Sequence, residues 1–74
     1  MEELDLIALT ESIPEEALMK GDVGTIVAVY ASGQGYEVEF ATYTGETIAV
    51  VTVRPHQIRR IGKRELMSVR RLEV

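Results

Sequence analysis

His56 is the single histidine among 74 residues, and there is no cysteine. The groups able to exchange a proton near neutral pH therefore reduce to one imidazole and the carboxylates. His56 follows Pro55 in "RPHQ", a turn-forming stretch, with no serine or cysteine beside it in sequence, so a nucleophile and its base are not brought together there. Two pairs of acids come next. The spacing in "YEVEF" puts Glu37 and Glu39 on one face of a strand, toward water, while Glu15 and Glu16 fall in a loop. Neither placement supplies the dry pocket that raises a carboxyl into the range of a general acid. Acids, histidine and carbonyls are also not spaced as a metal loop requires. The expectation is a chain that is not an enzyme and holds neither metal nor cofactor.

Glycines 21 and 24 in "KGDVGTIVAVY" form a G-x-x-G, the spacing with which some RNA-binding loops clamp a nucleic-acid backbone. Its interior pair is Asp22 and Val23, and β-branched residues follow rather than a helix, so an acid faces the phosphate and the loop type is wrong. A phosphate loop of the G-K-[ST] kind is excluded by the same residues. The glycines read instead as structure, with Gly21 at a turn conformation closed to other residues and Gly24 at a close approach within a strand. The Lys-Gly start, second glycine and apolar run also resemble a KOW motif, which implies RNA contact as the alternative function. The bases that would serve it are Arg54, Arg59, Arg60, Lys63, Arg64, Arg70 and Arg71. Against it stand Glu37, Glu39 and Glu46 on the hairpins, because backbone binding is mainly electrostatic.

The net charge of −4 conceals a polarity along the chain. Residues 1–46 hold ten acids and one base, a net −9, whereas residues 47–74 hold seven bases and two acids, a net +5. Opposite charge on two parts of a small domain favours attraction within the fold or between copies. A domain this short buries only about 60% of its unfolded surface, and without cysteine it has no disulfide to compensate. The acidic start, "MEELDLIAL", is unlike a secretory leader, and no apolar run reaches the roughly 18 residues of a membrane span. These features lead us to expect a single soluble, cytoplasmic domain.

The elements that must position these groups are short. "LDLIALT" (4–10) reads as a first strand, and "TESIPEEALMKGD" (10–22) as a loop with one helical turn after Pro14. The β-branched run from Val23 to Tyr30 reads as a strand covered on both faces, and "ASGQG" (31–35) as a hairpin loop. "YEVEF" alternates as a half-buried strand. A turn around Gly45 leads to "TIAVVTV" (47–53), a well-covered strand, after which Pro55 stops the sheet and Ile58 to Ile61 return as a brief closing strand. The fold class expected is all-β, a small SH3-like five-stranded antiparallel barrel over residues 1–61 with a short basic C-terminal extension over 62–74.

Asp5, Leu6, Ile7, Ala8, Leu9, Thr10, Glu11, Ile13, Pro14, Glu15, Leu18, Gly21, Asp22, Gly24, Thr25, Ile26 and Val27, followed by "YEVEF" and a T-x-A-V-x-T-V-like strand, resemble a family of small bacterial and cyanobacterial proteins of unknown function. The resemblance spans about residues 5–61 and departs at Ala17, where that family often has glycine, and at the extension. It implies an SH3-like barrel acting as an adaptor, antitoxin-like or subunit-like, with a partner encoded beside it. The partner-binding residues expected are Glu11, Ile13, Glu15, Leu18 and Met19 in the early loop and Glu37 and Glu39 on the hairpin face. Packing of Ile13, Leu18 and Met19 as a lid over the barrel end is the alternative for those three. Nucleic acid and membrane are not expected partners.

In "GKRELMSVRRLEV", Leu66, Val69 and, less squarely, Leu72 share a helical face. Thirteen residues do not hold a helix alone in water, so the segment packs on its own barrel, docks on a partner or a second copy, or stays disordered.

Overall fold

The computed structural model describes residues 1–72, so Glu73 and Val74 of the expected extension lie outside the described residues. Five strands, β1 (Leu6–Leu9), β2 (Val23–Val29), β3 (Tyr36–Ala41), β4 (Thr47–Val53) and β5 (Ile58–Arg60), form one antiparallel sheet in the order β4-β3-β2-β1-β5. The chain is all-β. Its only helical pieces among the described residues are single 3-10 turns at Pro14–Glu16 and Pro55–Gln57, each opened by a proline whose fixed φ suits a first turn.

Register follows from which side chains must be dry. Ile7 lies opposite Gly24, Ile26 opposite Val38, and Val38 opposite Val51, so one face of the sheet collects the apolar set. Ile7, Leu9, Ile26, Val38 and Val53 are fully buried there, each contributing roughly 1.5–3 kcal/mol. Tyr36, Phe40 and Ile58 complete the cluster from the strands. Ile13 and Leu18 join it from the loop after β1, where they exchange backbone hydrogen bonds of 2.9 and 3.2 Å. Gly24 is required by this packing, since a Cβ there would lie 2.5 Å from Val38 Cγ1 and 2.9 Å from Phe40 Cε1.

Two strands are less covered than their composition predicts. Val27 and Val29 in β2 are each 40% exposed, and Val50 in β4 is 54% exposed. Strand alternation puts Val50 on the outer face opposite Glu39, and two β-bulges interrupt the pairing nearby. The β2 to β3 register slips between Ile26 and Ala28, leaving Val27 without an opposite residue, and the β3 to β4 register slips between Phe40 and Ala41, leaving Ile48 as the extra residue. β4 is also an outer strand of the sheet, with β5 at the other side.

The extension is not helical. Gly62 and Glu65 close a turn through Gly62 N to Glu65 Oε1 at 2.6 Å, and no regular element follows up to residue 72. Leu66 and Val69, whose spacing puts them on one helical face, are 99% and 97% exposed. The segment is held by side chains instead. Glu65 takes Arg59 at 2.6 Å and Arg70 reaches Asp22, so the tail lies on its own sheet as an extended strap.

Candidate functional site

Met19 to Asp22 make the turn that launches β2. Gly21 carries φ +92°, Asp22 N donates to Met19 O at 2.9 Å, and Met19 N donates to Asp22 Oδ2 at 2.8 Å. The aspartate side chain is thereby fixed before anything binds it. Arg70 then closes on it as a fork, with Nε to Oδ1 at 2.7 Å and Nη2 to Oδ2 at 2.6 Å. Arg70 Nη2 also donates to Ala17 O at 3.2 Å, a carbonyl left free where the first 3-10 turn ends. The hydrogen bonds from Arg70, with the Met19 N–H, hold the Asp22 carboxyl below the usual aspartate value against the opposing effect of burial, and Asp22 in turn raises the Arg70 guanidinium.

Beside this clasp runs a groove of about 830 Å³. Alternation and register put Leu6, Thr25 and Glu39 in one row across the outer face of the sheet, and these residues form part of its lining. The bulge residue Ile48 and the hairpin-tip residue Tyr43 line it from the β3 to β4 side, Met19 from the turn, and Met67 and Leu72 from the strap. Leu6, Met19, Tyr43 and Ile48 are all exposed, so apolar surface remains open to solvent with the strap in place.

The residues expected to bind a partner divide. Leu18, Met19 and Glu39 line the groove together, whereas Glu11, Ile13, Glu15 and Glu37 do not. Ile13 and Leu18 are 8% and 4% exposed and belong to the core, so little of either side chain is open to a partner. Met19, 53% exposed, is the member of that trio that faces water. Glu37 accepts from Tyr30 Oη at 2.6 Å and from Thr52 Oγ1, and those donors, Thr52 foremost, lower its carboxyl against a small burial effect. Glu39 accepts from Thr47 Oγ1. The pair is thus part of cross-strand polar links rather than a free acidic stripe. Glu11 and Glu15 are exposed, the former within 3.5 Å of Gln57 Nε2.

Three of the seven candidate bases are paired with acids. Arg59 is paired with Glu65, Arg60 with Asp5 at 3.6 Å, and Arg70 with Asp22. Arg54, Lys63, Arg64 and Arg71 are exposed. The His56 side chain is exposed as well, and its carbonyl accepts from Thr10 Oγ1 at 2.7 Å. Among the described residues no group of three or more His, Cys, Asp or Glu is placed to hold a metal ion. Nor is any described helix long and apolar enough to cross a membrane. Sequence reasoning missed Asp22, Leu6, Tyr43 and Ile48, and named Arg70 only as one base among seven. The opposite charge of the two parts of the chain was the one signal that pointed toward the Asp22 to Arg70 pair.

A single all-β sheet with an apolar groove on its outer face and a carboxylate at the groove's margin defines the class of domain. A family model described as a domain of unknown function, DUF4926, matches residues 3–60, and the chain belongs to that family. No curated protein and no solved structure matches the chain. Asp22 and Ala17 fall within the matched span, while Arg70 falls outside it.

Proposed function

We propose that this chain is a non-catalytic, cytoplasmic protein-binding module, an accessory or antitoxin-like subunit of a protein encoded beside it, and that its sheet is an SH3-like barrel. Chain geometry supports the barrel. The outer strands β4 and β5 are joined through residues 54–57 alone, so Val53 and Ile58 lie at most about 18 Å apart even at full extension. A flat sheet of five strands would hold them about 19 Å apart, and the 3-10 turn of the connection shortens its reach further. This short connection favours a curled sheet with its apolar face inside.

The observation that carries the binding function is the groove of about 830 Å³ whose walls include exposed Leu6, Met19, Tyr43 and Ile48. A protein segment laid there would cover apolar surface that the chain leaves wet. Affinity purification from the native host, run in parallel with Ile48→Asp and with Val29→Asp as a control outside the groove, tests this reading. A partner should be retained by the wild type and by Val29→Asp and weakened by about tenfold or more in Ile48→Asp, provided circular dichroism shows that variant folded. A chain that comes down alone at native abundance, or a partner indifferent to Ile48→Asp, overturns the proposal.

A further inference from the structure

One wall of the groove is a tethered segment, and the way it is held at Asp22 shows what the groove's margin selects. Arg70 uses three N–H donors at one spot, two on the Asp22 carboxylate and one on the Ala17 carbonyl. Those acceptors are fixed independently of Arg70, because Asp22 is tied to the Met19 N–H and Ala17 ends a proline-started turn. A planar guanidinium matches two carboxylate oxygens at once, which an ammonium does not. The apolar contacts of the strap are poorer. Met67, three residues before the arginine, and Leu72, two after it, line the groove yet remain 59% and 38% exposed, and Ser68 and Val69 between them are exposed.

We infer that the groove and the clasp at its margin form an arginine-reading peptide site whose ligand is a protein segment bearing an arginine, with an apolar residue three positions before it and another two positions after it, and that residues 67–72 are the tethered wall such a segment displaces. This rests on the reading of the chain as a protein-binding module. Tethering gives the strap an effective concentration on the order of millimolar, so a poorly filled site stays covered by default and yields to a segment that fills it better. The strap thus sets a threshold for binding, and the specificity resides in Asp22 and the Ala17 carbonyl.

A fluorescent peptide with the sequence of residues 64–72 tests this on the full-length chain. Arg70→Ala frees the site without touching its acceptors, and should bind the peptide about tenfold or more tightly than the wild type does. Adding Asp22→Asn, which keeps an oxygen for the Met19 N–H but removes the charge, should abolish that gain. A peptide carrying Arg70→Lys should bind about tenfold more weakly than the parent peptide. Dimers of the wild type that dissociate on adding peptide would seat the same segment of a second copy in the same site, and would count in favour. Equal binding with and without Asp22→Asn, or no binding to a folded Arg70→Ala chain, overturns arginine reading. A native partner still sensitive to Ile48→Asp would then leave the binding module standing without it.

Discussion

Ala17 has φ +57°, a left-handed conformation that costs an L-residue with a Cβ about 1–2 kcal/mol. It is also the position where the resembled pattern often carries glycine, so the departure coincides with a strained backbone. Part of that cost is returned by the lower unfolded-state entropy of alanine, roughly 0.5–1 kcal/mol. Ala17→Gly keeps the carbonyl that Arg70 uses and should stabilise the chain by a net of about 0.5–1 kcal/mol, raising the melting temperature by roughly 2–8 °C. Thermal melting followed by circular dichroism measures it, and an unchanged or lower midpoint would show that Ala17 is not strained. At this scale the sequence was legible where a residue type admits few explanations. Gly21 and Gly24 were read as a turn and a close approach, and they are these: Gly21 has φ +92°, and a Cβ at Gly24 would meet Val38 and Phe40. Asp22 was read only as an obstacle to phosphate, because its partner stands 48 positions away, a separation that local pattern does not convey.

All five strands were legible as elements, since alternation and turn residues bound each of them. What lies over them was not. A β-branched run such as "TIVAV" or "TIAVV" reads as doubly covered, but Val27 and Ile48 lie on the face that no other element covers and are exposed. Composition does not tell which face of such a run is left uncovered, and the groove wall at Ile48 was missed for that reason. Glu37 illustrates the same level of organisation, because its two donors come from the end of the β2 to β3 hairpin and from β4. Removing the larger contribution with Thr52→Val should move the Glu37 carboxyl up toward the ordinary glutamate range. The sign follows from the lowered folded-state value: the carboxylate's contribution to stability is present above the unfolded value and fades as pH falls through the folded one. Carboxyl titration by nuclear magnetic resonance in both proteins would report the shift, and coincident curves would refute the assigned cause.

Across the whole molecule, charge polarity becomes structure. Of the three ion pairs among the described residues, Arg60 with Asp5 and Arg70 with Asp22 join the basic later part of the chain to its acidic first part, while Arg59 with Glu65 closes locally. The strap is tied down chiefly by the second of these, which determines how it should respond to its surroundings. A chain ended after Ile61 should keep the spectrum of the five-stranded sheet, because among the described residues the apolar cluster draws on none beyond Ile58. It should melt a few degrees below the full-length chain. That difference should shrink in about 1 M salt, where screening acts within roughly 3 Å instead of the roughly 10 Å of 0.1 M. Acid should have the same effect. The Asp22 folded-state value lies below its unfolded value, so the advantage of the full-length chain is fully present above about pH 4 and is lost as pH falls through the lowered value, Arg70 staying charged throughout. Paired melting curves across pH and salt decide it. A difference that persists undiminished in acid and high salt would assign the tether to Met67 and Leu72, and collapse of the truncated chain would make the strap part of the core.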